Sequence, residues 1–244
     1  TIVNSFVSKN EDLILANATA PLQSAAAATT DIPILGTSVT DYATALDISD
    51  WSGTTGRNIS GTSDLAPLSE QAAMLNELFP DAKNVGLLYC SAEANSQYQI
   101  DVIKEELEKL NYTCTAYSFV DSNDIASVVQ SAVNDNDVLY VPTDNTAASN
   151  TEVINNIAGE AGVPIIAGEA GICKGCGVAT LSISYYDLGY QTGKMAYEIL
   201  VNGADPSTME VEFAPAVTKQ YNPDICEKLG ITVPDDYKAL DMSE

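Results

Sequence analysis

The sequence predicts an α/β fold built on parallel sheets, and two observations lead to this class. A short apolar run, a turn rich in Ser, Thr, Asp or Asn, and an amphipathic segment follow one another in residues 12–30, 84–110 and 137–162. Strand-like and helix-like segments also alternate along nearly the whole chain of 244 residues. Such alternation is typical of parallel strands joined by right-handed crossovers, with helices on both faces of each sheet.

The strands are predicted where short runs rich in β-forming residues occur. They lie at residues 13–16, 33–37, 85–90, 113–119, 138–141, 164–167 and 177–183. The clearest helix is predicted over residues 97–110, because Ile100, Ile103 and Leu107 repeat with helical spacing. We expect Ser96 to cap its start and Asn111 to end it.

A second clear helix is predicted over residues 185–201, where an apolar stripe ends at the stop signal Asn202-Gly203. Two β-like stretches, MEVEFAP and VTKQY, and a short helix over residues 224–229 follow it. A break near Asp81 separates two series of strands and helices. We therefore expect an N-terminal lobe of residues 1–81 and 184–208 and a C-terminal lobe of residues 82–183 and 209–244.

The composition is that of an acidic globular protein. Hydrophobic residues make up 45% of the chain, and 34 Asp and Glu against 10 Lys and Arg give a formal charge of -24. This charge repels phosphate backbones, so we expect no nucleic-acid partner. No run approaches the about 20 apolar residues that span a bilayer. The chain begins without Met on TIVNSFVSKN, which reads as the second half of an amphipathic helix, so we expect a leader and some folded sequence before it.

Several kinds of chemistry find no support in the sequence. The chain contains no His, no GxSxG, no GxGxxG and no GxxxxGK[ST], which disfavours nucleophilic triads, dinucleotides and nucleoside triphosphates. Five cysteines form no disulfide framework, and the single CxxC at Cys173 and Cys176 lacks the partners that a zinc site needs. We interpret these two residues as small apolar thiols in a loop, and we expect neither a metal nor a cofactor.

Polar residues follow nearly every predicted strand. Thr19 has the sequence context of a helix N-cap, and residues 61–64 are predicted as a turn before the helix that carries Met74. The candidate ligand-binding residues are Thr19, Ser38, Thr40, Asp41, Thr62, Ser63, Ser91, Glu93, Asn95, Ser96, Thr143, Asp144, Asn145 and Glu169. Helix capping alone explains any single one of them, whereas their recurrence at one edge of a sheet favours a site for a small polar molecule.

The chain resembles a known family in several motifs. These are NISGTSD, GLLYCSAEANS, VPTDNT, GVPIIAGE and the long run that begins SISYYDLGYQTGKMAYEIL. They are similar to the ABC-transporter substrate-binding proteins that include tryptophan- and tyrosine-binding lipoproteins, and the similarity extends over essentially the whole chain. It implies a type I periplasmic-binding-protein fold: two doubly wound parallel-sheet lobes with a ligand cleft between them. The family opens with a strand, a helix and a second strand that this chain lacks, so the first lobe is expected to be N-terminally incomplete.

The resemblance also implies roles for the candidate residues. An amino-acid carboxylate would be held by helix N-termini and by the hydroxyl groups of Thr19, Ser38, Thr40, Ser91 and Ser96. Its ammonium group would pair with Asp144 or Glu169, because a buried charge needs a partner. Candidates for stacking on an aromatic side chain are Tyr42, Tyr89, Tyr98 and Trp51.

The resulting hypothesis is a non-enzymatic, extracytoplasmic component of an ABC importer. It would bind a small amino acid-like ligand, aromatic by resemblance, through closure of two lobes, and it would deliver that ligand to an ABC permease. Membrane attachment would come only through a lipid anchor in the parent protein, at the cell surface or in the periplasm. The alternatives are a ligand-binding sensor domain of a signalling protein and an α/β enzyme that uses carboxylates such as Asp144 and Glu169.

Overall fold

The computed structural model describes residues 2–243, in which helices and strands alternate. The helices are α1 (Ile2–Lys9), α2 (Thr19–Ala28), α3 (Tyr42–Leu46), α4 (Leu68–Leu78), α5 (Ala94–Lys109), α6 (Ile125–Asp135), α7 (Asn145–Ala148), α8 (Thr151–Ala161), α9 (Ala170–Cys176), α10 (Tyr185–Leu200) and α11 (Pro223–Leu229). The strands are β1 (Ile14–Asn17), β2 (Ile34–Val39), β3 (Ile59–Ser63), β4 (Asn84–Cys90), β5 (Thr113–Phe119), β6 (Val138–Val141), β7 (Ile165–Ala167), β8 (Ala179–Ile183), β9 (Glu212–Phe213), β10 (Val217–Tyr221) and β11 (Lys238–Ala239).

The chain forms two compact units and passes between them three times. Unit 1 consists of Thr1–Leu65 and Ser184–Ala216, and unit 2 consists of Ala66–Ile183 and Val217–Glu244. Each unit has its own sheet, in the order β1-β2-β3-β9 in unit 1 and β11-β10-β8-β7-β6-β4-β5 in unit 2. The predicted α/β class is confirmed.

Unit 1 is built on a four-stranded parallel sheet. Strand β1 lies at its edge and alternates between buried and exposed residues, whereas β3 is buried along its full length. A continuously buried strand is expected where both faces of a parallel sheet are covered. Ile14, Leu22 and Ile34 belong to the core on one face, and Leu35 packs with Met195 of α10 in a separate cluster.

Unit 2 is built on a seven-stranded sheet of mixed direction. Strands β5, β4, β6, β7 and β8 are parallel neighbours, while β10 pairs antiparallel with β8 and parallel with β11. The apolar run of β6 is buried throughout. Residues from the sheet and from α6, α8 and α9, such as Val129, Val141, Ile154 and Ile172, form one core cluster.

The structure contains one buried strand that the sequence pattern did not predict. Residues 61–64 were expected to form a turn, but Ile59–Ser63 is β3, and all five residues are buried. Gly, Ser and Thr are common in turns, but in β3 their small size allows the strand to pack closely against its neighbours. A Cβ atom on Gly61 would lie 2.1 Å from the carbonyl oxygen of Gly36 and 2.3 Å from the hydroxyl of Tyr42.

Three local predictions about the helices also need correction. Helix α5 begins at Ala94, so Ser96 lies inside it and does not cap its start. Helix α2 begins at Thr19 itself, and the N-cap position belongs to Ala18. Cys173 and Cys176 lie on α9 rather than in a loop.

The boundaries of the two units differ from the expected lobes at two of the three crossings. The first crossing lies at Leu65–Ala66 and not near Asp81, because α4 packs against α5 and β8 of unit 2. The last crossing lies after Ala216 and not after Thr208, because β9 pairs with β3 of unit 1. The middle crossing lies at Ile183–Ser184. Among residues 2–243, no helix combines the length and the apolar character that crossing a bilayer requires.

Candidate functional site

In unit 1, the turn between β1 and α2 adopts an unusual backbone conformation. Ala18 has φ 84° and ψ 164°, in a region that residues other than Gly rarely occupy, and its N–H donates to the carbonyl of Thr37 at 2.9 Å. This conformation places Thr19 at the first position of α2, where its side chain is buried. The strand end and the helix N-terminus therefore meet in a strained turn.

The end of β2 carries three more of the candidate residues. Ser38 has φ 53° and lies where the register between β2 and β3 shifts. Thr40 is buried, and its carbonyl accepts a hydrogen bond from the Ser63 hydroxyl at 2.8 Å. Asp41 caps α3 and accepts from the backbone N–H of Thr44 at 2.7 Å. The latter two residues thus have structural roles within the loop.

Thr62 and Ser63 hold the sheet of unit 1 together. Thr62 is fully buried, and its hydroxyl lies 2.8 Å from that of Thr192 on α10 and 3.2 Å from that of Thr37 on β2. The Tyr42 hydroxyl donates to the Thr62 carbonyl at 3.1 Å. Both candidates therefore lie in the buried strand β3, so the prediction of a turn here was wrong. Their side chains have hydrogen-bond partners inside unit 1.

In unit 2, hydrogen bonds to the carboxylates of Glu93 and Asp144 join the loops after β4 and β6. Glu93, which precedes α5, accepts from the backbone N–H groups of Asn145 at 3.0 Å and Thr146 at 2.9 Å. The side chains of Asn145 and Thr146 donate to the same carboxylate at 2.8 and 2.7 Å. In the opposite direction, Asp144 accepts from the N–H of Cys90 at the end of β4 at 2.7 Å and from its own helix α7 at 2.8 Å. The loops after β4 and β6 are therefore cross-linked in both directions.

The pKa values of the two carboxyl groups shift in opposite directions. Burial raises the pKa of Asp144, and the charge of Glu93 adds to that increase. Burial also works to raise the pKa of Glu93, but its hydrogen bonds from Thr146 and Asn145 outweigh it and hold that pKa below the ordinary value. Glu93 is therefore ionised at neutral pH.

Buried amides of α5 fix the loop after β6. The Asn95 and Gln99 side chains both donate to the carbonyl of Thr143, at 3.2 and 3.0 Å. Gln99 also accepts from the Thr143 N–H at 3.0 Å. Ser96 is fully buried and its hydroxyl bonds to the Asp144 carboxylate. Gln99 was missed from the sequence, although a polar residue one turn after Asn95 on the buried face of a helix is a readable signal.

Of the remaining two candidates of unit 2, Glu169 caps a helix and Ser91 bonds to a neighbouring strand. Glu169 caps α9 and accepts from the N–H groups of Gly171 at 2.6 Å and of Ile172. Burial raises the pKa of Glu169. The Ser91 hydroxyl donates to the carbonyl of Phe119 on the neighbouring strand at 3.3 Å.

The candidates differ in how much of each side chain the solvent reaches. Those with buried side chains are Thr19, Thr40, Thr62, Ser63, Asn95, Ser96 and Asp144. Those that keep partial or full exposure are Ser38, Asp41, Ser91, Glu93, Thr143, Asn145 and Glu169. The role of each in ligand binding stays a prediction, and the second set is accessible to solvent in this structure.

A further acidic residue, Asp64, lies at the carboxyl edge of the unit 1 sheet. It follows β3 directly, its side chain is 5% exposed, and its N–H donates to the carbonyl of Val39 at 3.2 Å. The hydroxyl of Tyr185, the first residue of α10, donates to its carboxylate at 3.1 Å. An aspartate placed immediately after a buried strand was the available sequence signal.

The four aromatic candidates separate into core and surface residues. Tyr42 and Tyr89 are buried, at 1% and 7% exposure, and each belongs to the core of its own unit. Trp51 is 38% exposed and Tyr98 is half-buried on α5. Trp51 and Tyr98 are therefore the two with ring surface available to a ligand.

The cysteines form no metal centre in the part of the chain that the structure describes, where no three of His, Cys, Asp or Glu are grouped for a metal ion. Cys173 and Cys176 of α9 and Cys226 of α11 are buried thiols. Burial raises the pKa of Cys176 to about 12 and that of Cys226 to about 11. Such thiols are protonated and chemically quiet near neutral pH.

Unit 1 also contains an apolar groove of about 810 Å³ beside β1, between α1 and α2. Side chains such as Phe6, Ile14, Leu15 and Pro21 line it, and none of the fourteen candidates is among its lining residues. A zwitterion needs charged or hydrogen-bonding partners, which this lining supplies poorly. The groove is therefore separate from the candidate site.

The fold and these strand ends define a class of protein: an α/β ligand-binding protein of two units, with polar, capped turns at the carboxyl edges of their sheets. The sequence model of the family described as ABC transporter substrate binding protein matches residues 1–242. The chain belongs to this family, and the membership predicted from its sequence motifs is confirmed.

Three proteins illustrate what this chain is similar to. A tyrosine-binding protein of Clostridioides difficile (strain R20291) is 37% identical over 200 residues, which cover 82% of this chain and 58% of that protein. The structure of an ABC domain of Streptococcus pneumoniae in complex with L-Trp has a TM-score of 0.92 at 30% identity, covering 98% of this chain and 84% of that one. A ligand-free, open substrate-binding protein with adhesive properties from Clostridium difficile has a TM-score of 0.75 at 36% identity, covering 99% and 82%.

These comparisons decide several of the predictions. The two units have the architecture of type I periplasmic-binding-protein lobes, and the same fold appears at 12% identity in a LacI family regulator of Bifidobacterium animalis with a TM-score of 0.61. The chain spans 58% of the length of its curated relative. The family consists of binding proteins, so the prediction that the chain is not an enzyme is confirmed on that ground.

Proposed function

We propose that the chain is the solute-binding component of an ABC importer and that its ligand is an aromatic α-amino acid, with L-Trp and L-Tyr as the first candidates. The observation that carries this proposal is the similarity to a complex with L-Trp over 98% of the chain, at a TM-score of 0.92. The 37% identity to a tyrosine-binding protein supports the same ligand class. Tryptophan and tyrosine share an α-carboxylate, an α-ammonium group and a large ring.

The polar groups of both units suit such a ligand. The exposed or half-exposed side chains at the strand ends include hydroxyl and amide groups, namely those of Ser38, Ser91 and Asn145. The rings of Trp51 and Tyr98 offer surfaces on which an aromatic side chain can stack. A carboxylate accepts from hydroxyl, amide and backbone N–H donors, so the ligand's anionic end has partners of the right chemistry.

Binding proceeds by closure of the two units on the ligand. Each unit supplies a part of the binding groups, and the ligand shifts the population toward the conformation in which both parts contact it. The loops cross-linked by Glu93 and Asp144 keep the contribution of unit 2 rigid during this motion. Rigid loops reduce the conformational entropy that binding must offset.

The loaded protein delivers its ligand to an ABC permease. Its place of action is extracytoplasmic, at the cell surface or in the periplasm, with a lipid anchor in the parent protein as the attachment to the membrane. The charge of -24 gives no electrostatic attraction to anionic lipids, so attachment to the membrane would depend on the anchor.

Thermal unfolding with and without ligand tests the proposal. The chain is heated with L-Trp, L-Tyr, L-Phe, L-Leu or L-Glu at up to 1 mM, and calorimetry supplies the dissociation constants. A ligand at 100 times its dissociation constant stabilises the native state by about 2.7 kcal/mol, or roughly 5–10 °C for a chain of this size. A shift confined to the aromatic amino acids supports the proposal, and no shift with any of them refutes it.

A further inference from the structure

We propose that the outward face of α10 in unit 1 is a contact surface for a second copy of this chain. The two α10 helices pack antiparallel about a two-fold axis, so that each copy presents the same face to the other. The inference concerns an interaction surface and is independent of the proposed ligand.

Helix α10 is apolar on two opposite faces. Its inward face lies against the sheet of unit 1 and carries the buried residues Leu188, Thr192, Met195 and Ile199. Its outward face is an exposed stripe, called the outer stripe below, which consists of Tyr186, Tyr190, Gly193, Tyr197 and Leu200. A surface helix normally has charged or polar residues opposite its buried stripe, so a second apolar stripe indicates a partner.

The outer stripe has the spacing of a seam between two helices. Its five members follow one another at intervals of four, three, four and three residues, which is the a/d pattern of a heptad repeat. This pattern keeps the same face of α10 toward a neighbouring helix along nearly its whole length. It therefore favours a helix as the partner over a small molecule or a flat surface.

The outer stripe is complementary to itself when the two helices run antiparallel. With Tyr190 of one copy opposite Gly193 of the second copy, Tyr197 lies opposite Tyr186 of the second copy, and the two-fold axis repeats both contacts. A Cβ atom on Gly193 would meet no atom of residues 2–243 within 4 Å, so the space above this glycine can hold a ring. Pairs of aromatic rings at such a contact are favourable.

The charges beside the outer stripe match in the same register. Asp187 and Lys194 are both exposed, and Asp187 of each copy comes beside Lys194 of the other. The ammonium group of Lys194 lies 4.8 Å from the centre of the Tyr190 ring and donates to Gln191 at 3.3 Å, which holds it at the edge of the stripe. Opposite charges at such flanking positions fix the direction and register of a helix pair.

The exposed area is sufficient for a weak dimer. Tyr186, Tyr190 and Tyr197 are 81%, 62% and 57% exposed, which together equals about two complete tyrosine side chains, or roughly 300–500 Å². Leu200 and the neighbouring Val201 are also exposed and enlarge this surface. Two copies together would bury about 1,000 Å², near the lower limit for a specific interface. We therefore expect a reversible dimer with a dissociation constant of roughly 10–300 µM.

The net charge predicts how this dimer responds to salt. Two copies that each carry a charge of -24 repel one another, and salt screens the repulsion between exposed charges. The Asp187–Lys194 pairs oppose this trend but involve far fewer charges. The dimer should therefore be tighter in 500 mM than in 20 mM NaCl, whereas a contact with a basic partner would weaken over the same range.

Sedimentation equilibrium of the chain at about 10 µM to 1 mM, in 20 and 500 mM NaCl, tests the inference. Gly193→Leu should weaken the dimer at least tenfold, because it fills the space that Tyr190 of the second copy needs. It should not lower the melting temperature, since this helical position is exposed and leucine favours helix more than glycine does. Tyr190→Ser should weaken the dimer about 10- to 100-fold through lost apolar contact.

An exchange of charges tests the register. Asp187→Lys and Lys194→Asp should each weaken the dimer about 3- to 10-fold, and the double variant should recover the wild-type association, because both pairs are restored with reversed signs. Leu15→Lys is the control. Leu15 is exposed in unit 1 and lines the apolar groove beside β1, so this variant should leave the dimer unchanged.

Three outcomes would overturn the inference. The first is a wild-type chain that stays monomeric at 1 mM in both salt concentrations. The second is a dimer that persists in Gly193→Leu but is lost in Leu15→Lys, which would assign the contact to the groove. The third is a monomeric chain that binds a purified ABC permease and loses that binding in Gly193→Leu, which would assign the outer stripe to the permease. None of these outcomes bears on the binding of an aromatic amino acid, which the unfolding experiment tests separately.

Discussion

The carboxylate of Glu93 is expected to stabilise unit 2 by closing the loop after β6, and Glu93→Gln tests this. The wild-type side chain accepts four hydrogen bonds from Asn145 and Thr146, at 2.7–3.0 Å. Glutamine keeps one acceptor oxygen and turns an NH₂ group toward the other donors, so about two of the four bonds are lost. At about 1–1.5 kcal/mol for each half-buried bond, the free energy of unfolding should fall by about 2–3 kcal/mol.

The pH dependence gives this prediction a second, sharper readout. The pKa of Glu93 in the folded chain is lowered from an ordinary value of 4.5. A group with a depressed folded pKa contributes stability that is complete above its unfolded pKa and is lost as the pH falls through its folded pKa. The difference between wild type and Glu93→Gln should therefore be constant from about pH 5 to 8 and should shrink below pH 4.5.

Urea unfolding followed by circular dichroism at several pH values measures both effects. Glu160→Gln on α8 is the matched control, because it removes the same charge from an exposed position of unit 2 and should change stability by less than about 0.5 kcal/mol. A Glu93→Gln variant as stable as this control at pH 7 would refute the account. So would a deficit that stays unchanged below pH 4.5.

Three further variants or treatments test the packing. Gly61→Ala should cost more than about 3 kcal/mol in thermal unfolding, because its φ of 148° and the Tyr42 hydroxyl 2.3 Å from a new Cβ exclude a side chain; a folded variant of near wild-type stability would contradict this. Asn222→Ala should cost about 2–4 kcal/mol, because one buried amide caps α11 and donates to two carbonyls of α9; a change below 1 kcal/mol in urea unfolding would count against that role. Iodoacetamide at pH 7.5 should label Cys173 and Cys176 only after unfolding, since their buried thiols have raised pKa values, and mass spectrometry of the native protein checks this.

The sequence predicted the strands of unit 2 best, for a physical reason. Strands β5, β6 and β10 have the bounds read from the sequence, because each run is rich in β-branched or aromatic residues. Of the three, β6 is buried throughout, whereas β5 is mostly exposed and β10 is half-buried. Strand β3 was missed because Gly, Ser and Thr make up all of it except Ile59, and the close approach of Tyr42 excludes a side chain at Gly61. Tyr42 also donates a hydrogen bond to the Thr62 carbonyl from 20 positions away, a contact that a local pattern does not contain.

The position of the candidate residues in the fold could be read from the sequence, whereas their role in ligand binding stays a prediction. Polar residues recur near the carboxyl ends of the strands of both sheets. Their division into buried braces and exposed groups could not be read, because it depends on which side chain finds a partner in another loop. Glu93 shows this, since its partners Asn145 and Thr146 lie more than 50 positions along the chain.

The contrast between Asp64 and Asp144 shows what does decide the role of an acidic residue at a strand end. Asp64 directly follows the buried strand β3, and Asp144 lies shortly after the buried strand β6. Both aspartates are buried themselves. Asp144 is followed by residues that start a helix at once, so the new N–H groups take its carboxylate. Asp64 is followed by Leu-Ala-Pro, and because a proline disfavours helical geometry in the residue before it, no helix starts there. The residues after the aspartate thus decide whether its carboxylate caps a helix.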